Sequence, residues 1–364
     1  MRDLFLLDPD VVYLNHGSYG ACPRPVFERY QAWQLELERQ PSDFMNRRLL
    51  DALAQARAAL GAFVGAPADD LTFVPNATTG VNMAARSLDL REGDEVLASD
   101  LEYGACDFTW EQACARAGAR YVRVPVDELL EHRTERTRAV FVSHITSETA
   151  LRLPVEQIVA DARDAGLTTV VDGAHAVAQL DLDLTALGAD FYAGNCHKWL
   201  CGPKGAGFLY VAPHWQEQVH GTIVSWGYLG PETTFISRTE RQGTRDSAAY
   251  LAVPAAIEFV QGHDERERCV ALTREARREL CTLLGTEPIA PEEQILQMAS
   301  VQLPVTEPEL NRRLFEEHRI EIPTMGPRRD DLLRISIALY NTEEDVERLL
   351  DALPQVLSSA RSPA

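Results

Sequence analysis

The two lysines of this chain, Lys198 and Lys204, both lie in the segment GNCHKWLCGPKG at residues 194–205. Every other cationic side chain is arginine or histidine, so the chain does not use lysine as an ordinary surface cation. Lysine differs chemically from arginine because its amine can lose a proton in a suitable pocket and attack a carbonyl carbon. We therefore predict that Lys198 is an amine nucleophile rather than a solvated side chain. Lys204 is the weaker candidate because it lies in a turn rich in glycine and proline.

A carboxylate and an anion-binding turn precede this lysine, and each directly follows an apolar, strand-like run. Asp172 ends the run TTVVD and enters a loop of small residues, where a carboxylate is costly unless a positive group meets it. The turn PNATTGVN at residues 75–82 leads into a helix. Its first amides, together with the Thr78 and Thr79 hydroxyls, would form a nest for a phosphate. Taken singly, Asp172 could equally be a structural cap, and the turn a simple threonine N-cap.

An aromatic side chain completes this set. Tyr103 follows the strand-like run EVLAS and could present its ring face to a planar ligand, although a half-buried structural tyrosine gives the same pattern. Pyridoxal 5′-phosphate (PLP) uses all four features: a lysine for its aldehyde, a carboxylate for its pyridinium nitrogen, a phosphate cradle and a stacking ring. The sequence therefore predicts a PLP site that contains Lys198 and Asp172.

The elements that must position these residues alternate between strands and helices. Apolar, β-rich runs are separated by stretches such as PVEQIVADARDAG, in which apolar residues recur three and four apart. This alternation is typical of βαβ units, so we predict an α/β fold with a mostly parallel central sheet covered by helices. The expected strands lie at residues 71–74, 95–99, 120–124, 138–145, 168–172, 191–194 and 207–211.

The pattern changes on both sides of this region. Near the N-terminus, helical segments are expected at about 25–39 and 43–63. Towards the C-terminus, long amphipathic helices are followed by the strand-like run LLRISIAL and a closing helix. We predict three regions: an N-terminal arm at residues 1–22, a large PLP-binding domain at 23–250 and a small C-terminal α+β domain at 251–364.

The overall composition disfavours several classes of partner. A formal net charge of −20 argues against nucleic acids and anionic membranes, since both attract basic surfaces. No apolar stretch approaches the roughly 18 residues of a membrane span, and the N-terminal segment does not resemble a signal peptide, so a cytoplasmic location is expected. Seven cysteines without regular spacing predict free thiols. No second ligand pair completes a zinc site with Cys196 and Cys201, so no metal is expected.

Eight segments, spread over almost the whole chain, form a family pattern. They are YLNHGSYGACPRPV (13–26), PNATTGVN (75–82), DLEYGA (100–105), SHITSETALRLPV (143–155), VVDGAHAVAQL (170–180), CHKWLCGPKGAGFLYV (196–211), RQGTRD (241–246) and RISIALYNT (334–342). In this order they resemble the class V aminotransferase superfamily of fold-type I PLP enzymes, which includes the cysteine desulfurases. Within that superfamily the sequence is most similar to isopenicillin N epimerase-like proteins.

The resemblance implies a role for each matching cofactor residue. Lys198 would bind the cofactor aldehyde, and Asp172 would pair with the pyridinium nitrogen. His175 would contact the ring hydroxyl, while Tyr103 would stack on the ring. The residues that would hold the phosphate are Ala77, Thr78, Thr79, Asn195 and His197, completed by Gly243 and Thr244 of the partner subunit. A homodimer with composite active sites is therefore implied.

The resemblance also implies how an amino acid substrate would bind. Arg334 would hold the substrate α-carboxylate as a bidentate fork, and Asn15 and His16 on the N-terminal arm would close over the substrate. An exposed arginine that begins a strand is the alternative for Arg334. Ser147 replaces an asparagine that is frequent in the family, as it does in epimerase-like members.

The reaction itself stays open at this point. No cysteine follows Cys281, whereas cysteine desulfurases need a thiol upstream of the strand with the carboxylate-binding arginine, so a desulfurase of the usual mechanism is not expected. We favour epimerisation or racemisation at Cα, which needs a second acid such as Tyr19, His16 or Tyr228 of the partner subunit. β-Elimination, such as C–S cleavage of a cysteine derivative, and transamination are the alternatives. A PLP-binding protein without turnover is a weaker reading, as is a nicotinamide enzyme, because no G-x-G-x-x-G follows the first strand.

Overall fold

The computed structural model describes residues 1–230, 233–325 and 329–359 of the chain. These residues form two compact units. The large unit consists of Pro25–Ile145 and Pro154–Gln261, and the small unit consists of Met1–Arg24, Thr146–Leu153 and the described residues of Gly262–Ala364. The domain boundaries expected at residues 22 and 250 stay a prediction.

The strands and helices are numbered in chain order. The strands are β1 (Val12–Tyr13), β2 (Leu71–Val74), β3 (Glu95–Ser99), β4 (Arg120–Val124), β5 (Thr137–Ser143), β6 (Thr168–Gly173), β7 (Phe191–Asn195), β8 (Gly207–Val211), β9 (Met298–Gln302), β10 (Ile320–Glu321), β11 (Thr324–Met325) and β12 (Arg329–Ser336). The α-helices are α1 (His16–Tyr19), α2 (Arg24–Arg39), α3 (Pro41–Asp43), α4 (Leu49–Val64), α5 (Ala77–Ser87), α6 (Gly104–Ala117), α7 (Val155–Asp164), α8 (Leu184–Leu187), α9 (Phe235–Glu240), α10 (Ala248–Leu251), α11 (Val253–Gly262), α12 (Arg266–Leu284), α13 (Leu310–His318) and α14 (Glu343–Ser359).

A seven-stranded sheet in the order β2-β8-β7-β6-β5-β3-β4 forms the centre of the large unit. Only β8 runs antiparallel to its neighbours, so the predicted α/β fold with a mostly parallel sheet is confirmed. Every residue of β2, β3, β7 and β8 is buried, because helices cover both faces of the sheet. The core beside α5 and α6 includes Trp110, Phe141 and Phe191.

One predicted helix is interrupted. The segment expected as a single helix near residues 43–63 begins instead as α3, with Pro41 in its first turn, and continues through a π-helical turn at Phe44–Arg48 into α4. Proline is favoured in a first helical turn because its missing N–H needs no partner there. The segment is therefore helical throughout, but its hydrogen-bond pattern is π-helical at Phe44–Arg48 and α-helical in α4.

The small unit has the α+β character expected for the C-terminal part of the chain. Its sheet has the order β11-β12-β9 and is antiparallel, with Arg334 on β12 opposite Ser300 on β9. The short strand β1 pairs in parallel with β10. Among the described residues, none of the helices combines the length and the apolar character needed to cross a bilayer.

Candidate active site

Several parallel strands of the large unit end at one edge of the sheet, which we call the carboxyl edge. The pairing of β6 with β7 sets Asp172 opposite Ala193 and Gly173 opposite Gly194, so these two strands end side by side. Asp172 lies near the end of β6, and the loops that follow the two strands contain His175 and Lys198. This is the position at which doubly wound sheets bind ligands.

Asp172 is a buried carboxylate with few donors around it. Its Oδ1 accepts a hydrogen bond from the Ala174 amide at 2.9 Å, and its Oδ2 faces the Cys106 thiol at 3.5 Å. Burial raises the pKa of Asp172, while the Ala174 amide and the charge of Lys198 lower it by less. One amide and one weak thiol donor do not replace the hydration of a carboxylate, so a cationic N–H donor at this position would be strongly favourable.

Lys198 lies in the loop after β7 and contacts His175. Its Nζ is 3.1 Å from Nε2 of His175, and the indole N–H of the neighbouring Trp199 donates to Nδ1 of the same ring at 3.3 Å. The loop closes tightly, because the Cys201 amide donates to the Lys198 carbonyl at 2.9 Å and Cys201 takes a positive φ of 61°. The amine is therefore held by its own backbone turn and by a buried imidazole.

The first turn of α5, which we call the phosphate cradle, begins at the end of β2. Asn76 caps the helix, since its Oδ1 accepts from the Thr79 amide at 2.9 Å, so the alternative of a threonine N-cap is wrong. The Ala77 amide donates to Oδ1 of Asn195 at 2.8 Å, and the Gly80 amide donates to the Asn76 carbonyl. Within the described chain, the Thr78 amide has no acceptor, which leaves it as the donor available to an anion.

His197 follows Asn195 in the same loop. Its Nδ1 is 3.0 Å from the Ala206 carbonyl, which can only accept, so Nδ1 holds the proton and donates. Burial lowers the pKa of His197 to about 4, so the imidazole is neutral at physiological pH. The Nε2 atom then presents a lone pair, and it must gain a proton before it can donate to a phosphate.

Tyr103 lies at the N-cap of α6, where its carbonyl accepts from the Cys106 amide at 2.8 Å and its side chain is 43% exposed. The preceding residue fixes this turn. Glu102 is buried and accepts a hydrogen bond from the Ser143 amide at 3.0 Å, and the hydroxyls of Ser99 and Ser143 also donate to it. The carboxyl group thereby ties the Tyr103 turn to the ends of β3 and β5.

The residues predicted to bind substrate lie in the small unit. Arg334 is 2% exposed, so the alternative of an exposed arginine is wrong. Its guanidinium donates to the Ser147 carbonyl at 2.6 Å and to the Ser18 hydroxyl at 2.9 Å, and Ser18 in turn donates to Oδ1 of Asn15. His16 is buried, with Nδ1 3.0 Å from the Tyr340 hydroxyl. Arg334, Ser18 and Asn15 therefore form one connected polar group in the small unit, and His16 makes a separate contact with Tyr340.

Three of the predicted residues lie on exposed parts of the large unit. Gly243 and Thr244 are both exposed, and Gly243 has a φ of 102°, a conformation that favours glycine. Tyr228, proposed as a second acid from the partner subunit, has its hydroxyl 2.9 Å from Nδ1 of His220. Their predicted roles depend on a partner chain and stay predictions. Among the described residues, no cluster of three or more His, Cys, Asp and Glu side chains is arranged to hold a metal.

The sequence alone did not identify Trp199, Asn76 or Glu102 as parts of this arrangement. The asparagine directly before a helix start was the available signal for Asn76. Trp199 and Glu102 gave no signal, because an apolar or acidic residue next to a functional one has many ordinary explanations. Their contacts depend on tertiary structure.

The groups at the carboxyl edge fit PLP. A single amine beside a buried imidazole suits an aldehyde, and a buried carboxylate with a raised pKa suits a pyridinium N–H. The unsatisfied Thr78 amide at a helix N-terminus suits a phosphate. This fold and these groups are those of a fold-type I PLP-dependent enzyme. The chain belongs to the Aminotransferase class-V family, whose profile matches residues 13–349.

Three proteins illustrate this relationship. The chain is 39% identical to isopenicillin N epimerase from Streptomyces clavuligerus, covering 97% of this chain and 96% of that protein. It is 31% identical to the probable L-cysteine desulfhydrase, chloroplastic, from Arabidopsis thaliana, covering 95% and 83% of the two proteins. It is also similar to a solved mutant of C-DES with glycine covalently linked to the PLP cofactor, with a TM-score of 0.86 and 26% identity over 95% of this chain and 96% of that one.

Proposed function

We propose that this PLP enzyme catalyses epimerisation or racemisation at the Cα of an amino acid. The observation that carries the proposal is the 39% identity with isopenicillin N epimerase over 97% of the chain. The absence of any cysteine after Cys281 also supports it, because a sulfur-accepting thiol is missing where cysteine desulfurases need one. The proposal concerns the reaction type and leaves the side chain of the substrate open.

Each cofactor residue would have a distinct role in this reaction. Bound PLP supplies an electron sink for negative charge that develops at the substrate Cα. Lys198 Nζ would hold the cofactor aldehyde and, as a free amine, would accept the Cα proton. Asp172 would keep the ring nitrogen protonated, and His175 would donate to the ring hydroxyl oxygen. The ring would stack on Tyr103, and the phosphate would bind to Ala77, Thr78, Thr79, Asn195 and His197.

The polar group of the small unit supplies the substrate residues. We propose that Arg334 binds the α-carboxylate, exchanging its contacts with the Ser147 carbonyl and the Ser18 hydroxyl for a bidentate pair. Asn15 and His16 would close over the substrate. Return of a proton to the opposite face of Cα needs a second acid, for which Tyr19, His16 and Tyr228 of the partner subunit are the candidates.

β-Elimination is the second candidate. The 31% identity with the probable L-cysteine desulfhydrase over 95% of this chain favours it. The two reactions share removal of the Cα proton and differ in the next step. Epimerisation returns a proton to Cα, whereas elimination expels a β-substituent as a thiol and leaves pyruvate and ammonia after hydrolysis.

One experiment separates these reactions. The purified enzyme with PLP is incubated in deuterated water with a panel of L-amino acids, including cysteine derivatives. Deuterium at Cα with loss of optical purity supports epimerisation, and release of thiol, pyruvate and ammonia supports elimination. A keto acid with pyridoxamine phosphate supports transamination and contradicts both. Lys198→Ala should abolish the visible absorbance of the bound cofactor, whereas Lys204→Ala, which removes the other lysine, should retain it.

We also propose a homodimer in which Gly243 and Thr244 of the partner subunit complete the phosphate site. Mixing Lys198→Ala chains with chains altered at Thr244 should restore part of the activity, because one of the two sites in a mixed dimer would be intact. Failure of such mixtures to gain activity, with dimers demonstrated by sedimentation, would contradict composite sites. The cytoplasmic location stays a prediction from composition.

A further inference from the structure

Three side chains at the carboxyl edge form a directed chain of contacts from Trp199 through His175 to Lys198. The Trp199 indole nitrogen is 3.3 Å from Nδ1 of His175, and Nε2 of His175 is 3.1 Å from Nζ of Lys198. Trp199 and His175 are 5% and 2% exposed, so water does not substitute readily for these contacts. The resemblance and the proposed mechanism assign no role to Trp199.

The direction of each hydrogen bond follows from the chemistry of the groups. An indole nitrogen can only donate, so Nδ1 of His175 must accept from Trp199 and has no proton. A neutral imidazole has one N–H, which must then be on Nε2, facing Lys198. An ammonium has no lone pair and cannot accept this N–H, whereas a neutral amine can. A charged Lys198 would require both nitrogens of His175 to accept at once, which only an imidazolate could do.

We infer that Trp199 is a positioning residue that fixes the proton of His175 on Nε2 and thereby favours the neutral amine of Lys198. The inference rests on the proposed function in one respect: the neutral amine is the form that attacks an aldehyde or accepts a Cα proton. The same Nε2–H is a donor that a ring hydroxyl oxygen can accept when the cofactor is bound. Phenylalanine would fill the same space but supply no N–H.

Three other ionisable groups interact with Lys198 or its loop. The Asp172 carboxylate favours a charged Lys198, and therefore opposes the effect of Trp199. Charge on His197 would disfavour charge on Lys198, and Lys204 also acts on His197, but burial keeps His197 neutral above a pKa of about 4. Within the described residues, the Trp199 indole donates to Nδ1 of His175, and this contact holds Nδ1 as an acceptor. The tautomer of His175 is therefore set locally.

The test compares Trp199→Phe with Trp215→Phe. Trp215 is a matched control in the same unit, since its indole N–H also donates to a side chain, Oδ1 of Asp190 at 3.1 Å. Histidine-labelled protein is examined by ¹⁵N NMR, with the His175 signals assigned from a His175→Gln variant. The wild type and Trp215→Phe should show an unprotonated Nδ1 at His175, and Trp199→Phe should show a mixture of tautomers.

The second readout is the pH dependence of cofactor capture by protein from which PLP has been removed. The rate of growth of the visible band reports the fraction of neutral amine. The pH at which this rate is half-maximal should rise by as much as about one pH unit in Trp199→Phe, which is the equivalent of one lost hydrogen bond. The same pH should stay unchanged in Trp215→Phe. If the visible band never forms in the wild type, the proposed function is contradicted. The NMR result on the His175 tautomer does not depend on that outcome.

Two outcomes would overturn the inference. One is an NMR spectrum of the wild type that shows the His175 proton on Nδ1. This measurement needs no variant, so it can be made even if Trp199→Phe does not fold. The other is a folded Trp199→Phe protein with an unchanged His175 tautomer and an unchanged pH of half-maximal cofactor capture, which would make Trp199 a packing residue only.

Discussion

Replacement of Glu102 by glutamine should make the protein more stable, relative to the wild type, as the pH rises. The Glu102 carboxyl group is 2% exposed and is held by the Ser143 amide and the hydroxyls of Ser99 and Ser143. Burial raises its pKa from an ordinary 4.5 to about 8, the serine hydrogen bonds lower it, and the charge of Asp172 raises it further. At neutral pH the folded protein therefore keeps a proton that the unfolded chain has released.

The sign and size of the effect follow from this difference. The stability contributed by protonated Glu102 is complete below the unfolded pKa of 4.5 and is lost as the pH rises to the folded pKa of about 8. Each pH unit in the middle of this window costs about 1.4 kcal/mol, and the loss levels off as the pH reaches the folded pKa, so the wild type should lose roughly 2 kcal/mol between pH 6 and pH 8 through this group alone. When Glu102 is protonated, its O–H donates to the Ser143 hydroxyl, which then acts as the acceptor. Glutamine has no proton to take up, and its amide can donate to the same hydroxyl.

The assay is urea unfolding of both proteins at several pH values from 6 to 8, above the sequence pI of about 4.9, where low net charge favours precipitation. The free energy of unfolding of Glu102→Gln minus that of the wild type should increase by roughly 2 kcal/mol over this range, while the other titrating groups cancel. Glu36→Gln, at an exposed site where arginines lower the pKa, should run parallel to the wild type. Parallel curves for Glu102→Gln as well would refute the buried, protonated state of Glu102.

Three further predictions concern the cofactor and substrate residues. Asp172→Asn should retain bound PLP but lower the rate of Cα deuterium exchange by roughly 10²–10³, as expected for loss of one charge-stabilising group, and an unchanged rate would exclude pairing with the ring nitrogen. Arg334→Lys should raise KM for the amino acid by roughly 10- to 100-fold, because a charged bidentate contact is lost, and the matching amine without a carboxylate should show no such change. Gly207→Ala should weaken PLP binding, since its Cβ would lie 2.8 Å from the Gly194 carbonyl and 3.0 Å from Cα of Asn76, which caps the phosphate cradle. Overpacking of this kind costs about 1–3 kcal/mol, so equilibrium dialysis should show weaker binding of PLP, and unchanged binding would contradict displacement of the cap.

The sequence predicts the sheet of the large unit well because its strands are short, apolar and buried on both faces. Such runs alternate with helices that have a clear period of 3.6, and the mostly parallel sheet follows from that alternation. Asp172 was singled out as a carboxylate that ends an apolar strand, and Lys198 as one of the two lysines in the chain; their roles toward the cofactor stay predictions. The π-helical turn at Phe44–Arg48 was not, because nothing in its composition distinguishes it from the helix after it.

The partners of the site residues could not be predicted from residue types alone. Asn195 is predicted to bind a phosphate, and the structure adds that its Oδ1 accepts from the Ala77 amide and so fixes the start of α5. Likewise, the proton positions on His197 and His175 depend on an acceptor carbonyl in one case and a donor indole in the other. These are tertiary contacts between residues that are close in space, and the sequence pattern does not encode the direction of a hydrogen bond.

The buried carboxyl groups at the carboxyl edge lower the free energy of unfolding and hold protons at fixed positions. Burial raises the pKa of both Glu102 and Asp172, and the charge of Asp172 raises the pKa of Glu102 further. A protein optimised for stability alone would replace Asp172 with a neutral side chain, since an unpaired buried charge is costly. A cationic ring nitrogen beside Asp172 would relieve part of this cost, because it supplies the positive charge that the carboxylate lacks. Loading with PLP should therefore raise the free energy of unfolding of the wild type more than that of Asp172→Asn. The difference between the two increases measures how much of the cost of burying Asp172 the bound cofactor offsets.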